Sequence, residues 1–316
     1  MHASLRIPML AGLLCLAAVS AMANGVVLVV NSGAASLSVV DMTTHKEIRR
    51  IPVLREPHHV MLTPDGNGLL VGDTGGNEVL ELDPKTFVLR HRFPVADPYQ
   101  LGFSPDGKLL VVNGLARNQV DIYDAAGMKL VKRFPLSTMP SHMAFAPDGS
   151  RVFVSLQGTN RLAAIDLHAM KVLYEVDVGK VPAGVLWLNG RVLVALMGES
   201  GVAVVEPASG HVERVVPTGD GAHQLFLSPD QRILYVNNRV VSTTVALDAA
   251  SLALRHTYHV PGGPDDIVFA PDGKLWITQR FAHGLAVLDP VTGAVESIKV
   301  GRSPHGLFLN AEARAN

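Results

Sequence analysis

Residues 57–83, PHHVMLTPDGNGLLVGDTGGNEVLELD, return 41 positions later as residues 98–124, PYQLGFSPDGKLLVVNGLARNQVDIYD. In both stretches a proline leads into a short apolar run and Pro-Asp-Gly turns the chain. A second run ends in a polar loop, and a third closes on aspartate. The closing acid recurs at Asp41, Asp83, Asp124, Asp166, Glu206, Asp248 and Asp289, spaced by 40 to 42 residues. The turn keeps the same beat at Pro64-Asp65-Gly66, Pro105-Asp106-Gly107, Pro147-Asp148-Gly149, Leu188-Asn189-Gly190, Pro229-Asp230-Gln231 and Pro271-Asp272-Gly273. Seven units of this length, built of short strands and turns, specify an all-β, seven-bladed β-propeller.

Each unit reads as four strands rich in Val and Leu and bounded by Gly, Pro, Asp and Asn. In the first full unit these are His59 to Thr63, Leu69 to Asp73, Val79 to Leu82 and Phe87 to Phe93. No segment sustains a helical period. The chain opens with three strands (Val26 to Asn31, Leu37 to Asp41 and Glu47 to Val53) and ends with an orphan inner strand, Gly306 to Asn310. Pairing that last strand with the first three completes the ring and removes exposed edges. One domain over residues 24–316 is expected.

Residues 1–23 read as an export signal. His2 to Arg6 are polar, Met9 to Val19 form an apolar core, and Ala21-Met22-Ala23 is a small-x-small cleavage site. The expectation is a periplasmic or secreted protein cleaved near Ala23, with no membrane span in the mature chain. Cys15 lies inside the signal, so the mature chain has no cysteine for a disulfide, thiolate ligand or nucleophile. Cleavage removes Arg6 and moves the net charge from −1 to −2, which provides no footprint for nucleic acid. A monomer is expected.

Leu234-Tyr235-Val236-Asn237-Asn238 matches the motif that names the YVTN β-propeller repeat, with looser copies at Leu110-Val111-Val112-Asn113 and Leu28-Val29-Val30-Asn31. The units resemble that family along essentially the whole mature chain. The resemblance implies a propeller similar in shape to those of cytochrome d1 enzymes, quinone-linked periplasmic proteins and surface-layer proteins. It does not carry a function.

Residues common to every unit belong to the scaffold, and the closing acids and Pro-Asp-Gly aspartates suit turn capping. The deviations gather after the lead-in positions Pro57, Pro98, Pro140, Pro182, Ala222, Pro264 and Pro304. The next two residues are His58-His59, Tyr99-Gln100, Ser141-His142, Ala183-Gly184, His223-Gln224, Asp265-Asp266 and His305-Gly306. These should ring one mouth of the central channel. His58, His59, His142, His223 and His305 are candidate ligands for copper, zinc or iron, with a partial likeness to the copper-cluster domain of nitrous oxide reductase. Gly184 and Gly306 stand where that likeness would want further ligands. Tyr99, Gln100, Gln224, Asp265 and Asp266 join the candidate ligand-binding set.

The loops between second and third strands should share this face. They carry Asp73, Asn77, Arg117, Asn118, Gln157, Asn160, Arg161, Glu199, Asn238, Arg239, Arg280 and His283. Arginines there suit an anion, and Arg239 and Arg280 stand out because they follow second strands and flank the unit bearing Asp265-Asp266. His168, His211, His256 and His259 read as surface residues. Three functional classes follow. The first is a propeller binding a small anionic ligand or a protein partner at the mouth. The second is a redox enzyme or electron-transfer accessory holding a metal or an acidic cofactor. The third is an interaction scaffold using the rim.

Overall fold

The computed structural model describes residues 25–53 and 55–312. The expected export signal, with its expected cleavage site and Cys15, lies outside the described residues. Seven four-stranded antiparallel sheets follow one another around a ring. The blade that closes the ring pairs the last strand, Pro304–Asn310, with Val26–Asn31, then Ser36–Asp41 and Lys46–Pro52. Its register runs from Val26 opposite Asn310 to Val29 opposite Leu307. The expected strands of the first full unit appear as Pro57–Leu62, Leu69–Asp73, Glu78–Leu82 and Leu89–Pro94. The fourth starts later than the sequence suggests. Phe87 takes a positive φ of 59° in the preceding turn, where its buried ring meets Phe308 edge-on. Among the described residues the helical pieces are two single 3-10 turns, Ser32–Ala34 and Gln157–Thr159, and no helix is long and apolar enough to cross a membrane.

The apolar core divides into seven clusters, and each is shared by two neighbouring blades. In the strand Leu69–Asp73, Leu69 and Val71 face one neighbour and Leu70 the other. Second strands are covered on both faces, which is why their sequences are unbroken Val/Leu runs instead of an alternation. The outer strands lie largely open and are correspondingly polar, as in Lys46–Pro52 and Leu89–Pro94. The closing acids cap turns as expected. Asp83 accepts the backbone N–H groups of Lys85 and Thr86, and these bonds, Thr86 first, pull its carboxyl down to about 2. Glu206 and Asp289 bond their following turns in the same way.

Candidate functional site

The residues after each lead-in proline do not alternate as a regular strand would. From Pro57 to Val60 the inner strand advances three positions while its partner advances two, from Asp73 to Val71. The same one-residue bulge recurs before Met143, Val185, Gln224, Ile267 and Leu307. In the remaining blade Tyr99 N–H and Gln100 both meet Asn113. A bulge re-aims side chains that the pleat would send to opposite faces. Both members of the pairs His58-His59, Tyr99-Gln100, His223-Gln224 and Asp265-Asp266 therefore line one axial cavity of about 170 Å3, with His142 and His305.

The first residues of these pairs, with His142 and His305, form a packed layer. The His58 ring lies 3.7 Å from that of His305 and is stacked 3.8 Å from that of Tyr99, centroid to centroid. His142 and His223 approach edge-on at 5.1 Å. His58, His223, Asp265 and His305 are between 1% and 5% exposed. At this end the mouth expected from the sequence is packed with side chains, not open.

Asp265 is the electrostatic centre of that layer. Arg239 donates to its Oδ1 through both Nε, at 2.9 Å, and Nη2. Arg280 Nη1 lies 3.5 Å and His305 Nε2 3.6 Å from Oδ2. His223 Nδ1 stands 2.7 Å from Oδ1 but off the line a hydrogen bond requires. Burial opposes ionisation of Asp265, yet Arg239 and the neighbouring imidazoles hold its carboxyl well below the usual range. Asp266 goes the other way. Burial, and then the charge on Asp265, push it up to about 8, so it is protonated at neutral pH.

The imidazoles are neutral for a shared reason, loss of water around the charged form. Burial takes His59 and His223 down to about 4, with Arg239 adding to the shift at His223. Burial also takes His58, His142 and His305 well below the ordinary range, assisted by Arg280 at His58 and by His223 at His142. At pH 7 the cluster thus holds two guanidiniums against one ionised carboxylate. Both ring nitrogens of His223 and of His305, Asp265 Oδ2 and Arg280 Nη1 are buried with no hydrogen-bond partner.

Not every candidate residue faces the cluster freely. His58 Nδ1 bonds the Tyr99 carbonyl at 2.9 Å. His59 Nδ1 accepts Leu101 N–H, Gln100 Oε1 accepts Met143 N–H, and Asp266 accepts Ile267 and Leu307 N–H. Among the described residues, the ligating atoms that converge within 4.8 Å belong to His223, Asp265 and His305. The loop residues do share this face. Most of them fix backbone: Asp73 accepts Arg55 and Glu56 N–H, Asn77 accepts Asp97 N–H, and Asn118 and Asn160 accept Met139 and Val181 N–H. Arg117 and Arg161 are exposed, so two arginines approach the site where four were expected. His168, His211, His256 and His259 are exposed, as expected.

Three residues that sequence reasoning passed over also line the cavity: Val60, Phe226 and Leu307. Their signal was their place one or two positions beyond each polar pair. Gly184 has a packing explanation, because a Cβ there would meet Gln224 Oε1 at 2.4 Å and the His223 carbonyl oxygen at 2.7 Å. Gly184→Ala should cost about 1–3 kcal/mol by overpacking; chemical denaturation measures it, and an unchanged midpoint would contradict the packing account.

A family model described as YNCE-like beta-propeller matches residues 5–314. Solved structures with the same fold include a functionally unknown protein from Desulfotomaculum acetoxidans, with a TM-score of 0.76 at 13% identity over 90% of this chain and 99% of that one. The periplasmic gluconolactonase of Pseudomonas aeruginosa gives 0.72 at 22%, over 90% and 98%. Dihydro-heme d1 dehydrogenase NirN in complex with DHE gives 0.67 at 15%, over 90% and 75%. The likeness to d1-type propellers thus holds at the level of fold. No curated protein matches the chain.

Proposed function

The chain belongs to the YNCE-like β-propeller family, and on that basis we propose that it is an exported, periplasmic protein that binds a small anionic ligand in the axial cavity and does no chemistry itself. The export pattern of residues 1–23 and the periplasmic relative of similar fold support the location. The observation that carries the binding reading is the set of donors around Asp265 that complete no hydrogen bond. Arg239 is hydrogen-bonded to Asp265, whereas Arg280 Nη1 and the ring nitrogens of His223 and His305 are buried without a hydrogen-bond partner, meeting Asp265 by electrostatic attraction alone. Leaving such groups unsatisfied costs about 1–3 kcal/mol each. An anion accepting from them would remove that cost and neutralise the excess positive charge.

Titration calorimetry of the mature protein with acetate tests this. Binding is expected at pH 6.5, and Arg280→Gln should weaken it about 10- to 100-fold, the worth of one charged hydrogen bond. Equal affinity in wild type and variant would overturn the assignment. Affinity should also fall as pH rises through about 8, because Asp266 then becomes a second negative charge in the cavity.

A metal reading survives in narrower form. His223, Asp265 and His305 offer ligating atoms within 4.8 Å of one another, in place of the five histidines. Two guanidiniums flank the same carboxylate, so a divalent cation would join a site already net positive. Anion binding is the better fit. Elemental analysis of protein purified without chelator separates the two.

A further inference from the structure

Resting on the anion reading, we infer that the ligand is a monocarboxylic acid with a compact apolar body, not a sugar acid or an inorganic dianion. The charge points to a single negative group, since two guanidiniums face the one carboxylate of the packed layer, Asp265, while Asp266 is turned to the Ile267 and Leu307 N–H groups. The size follows from the cavity of about 170 Å3. An apolar protein cavity of ~150 Å3 takes benzene, so about six to eight non-hydrogen atoms fit here.

The body's character follows from what lies beyond the cationic layer. Val60, Phe226 and Leu307 line the wall one or two residues further along their inner strands. Between them and the cluster most polar groups are engaged with backbone: His59 Nδ1 with Leu101 N–H, Gln100 Oε1 with Met143 N–H, and Asp266 with Ile267 and Leu307 N–H, which leaves the Gln224 amide. The ring of His58, stacked on Tyr99 and tilted against His305, adds flat surface. A carboxylate can meet His223 and His305 in the lining and, beside Asp265, the Arg280 guanidinium, while its apolar body lies against these walls. The hydroxyls of a sugar acid would lose water and find few partners, a penalty paid at each buried hydroxyl.

2-Methylbutanoate and glycerate make the matched test, because they have the same number of non-hydrogen atoms and differ by methyl groups in place of hydroxyls. Calorimetry on the mature wild-type protein should show affinity rising about fourfold for each methylene from acetate to hexanoate. Glycerate, the smallest sugar acid, should bind at least about tenfold more weakly than 2-methylbutanoate. A flat series, or glycerate binding as well as 2-methylbutanoate, would overturn the inference. Binding of acetate or phosphate in that case would leave the anion site standing, whereas silence from every acid would remove both. Phe226→Ser and, as a milder change, Leu307→Thr should each narrow the gap between 2-methylbutanoate and glycerate. An unchanged gap in both variants would contradict the placement of the apolar body.

Discussion

Asp265→Ala will cost about 3–5 kcal/mol of unfolding free energy, the largest loss expected from any single polar substitution in the chain. The carboxylate is 1% exposed and is the acid against which Arg239 and Arg280 both rest. Without it, two guanidiniums remain in the packed layer and repel each other. The loss should be reversible in a defined way. Replacing the Arg239 guanidinium as well, in Asp265→Ala/Arg239→Met, removes one buried charge and should restore more than half of the stability, because an ion pair replaced on both sides by apolar groups is often near neutral. Urea denaturation of both variants reads this directly. A cost below about 1 kcal/mol for Asp265→Ala would mean that the cluster is open to water.

Acid should unfold the protein early and steeply. His58, His142, His223 and His305 are buried neutral, and His59 is pushed down to about 4. Their folded values lie below that of an unfolded imidazole near 6.5, so the unfolded chain takes up protons that the folded chain refuses. The stability they contribute is whole above pH 6.5 and declines toward pH 4, on the order of 1.4 kcal/mol per pH unit for each histidine. Asp266 works in the opposite direction. Its folded value of about 8 exceeds the unfolded one, so its own contribution is whole below about pH 4 and lost as pH rises toward 8. One carboxyl cannot offset five imidazoles. The melting temperature, followed by circular dichroism in a buffer free of carboxylates, should fall steeply from pH 6.5 to 4.5. A flat profile across that window would contradict the neutral burial of the cluster.

The blades were legible because their chemistry repeats. Strands covered on both faces require uninterrupted Val/Leu runs, and each outer turn requires its acid, so Asp41 through Asp289 marked every unit. Closure was legible because Gly306 to Asn310 had no blade of its own. The axial residues could be found by counting from each lead-in proline. The bulge there could not, because it depends on the register between strands. Nor could a list of polar residues show that the rings of Tyr99, His58 and His305 pack together and close the mouth. Of the loop arginines, Arg239 and Arg280 point inward and Arg117 does not, a distinction set by Asp265, which Arg239 reaches across the blade interface and Arg280 within its own blade. The motif asparagines also proved to be structural. Asn113 and Asn237 donate to the Ser141 and Asp265 carbonyls of the next blade, and Thr278 does the same for His305.

The central claim is that an anion belongs among Arg280, His223 and His305. Crystals of the mature protein soaked in bromide test it most directly, because anomalous scattering locates the ion without assumption. The predicted result is a peak within about 3.5 Å of Arg280 Nη1 and of a ring nitrogen of His223 or His305. Bromide confined to the outer surface, with the axial cluster dry or holding a metal between His223, Asp265 and His305, would contradict it.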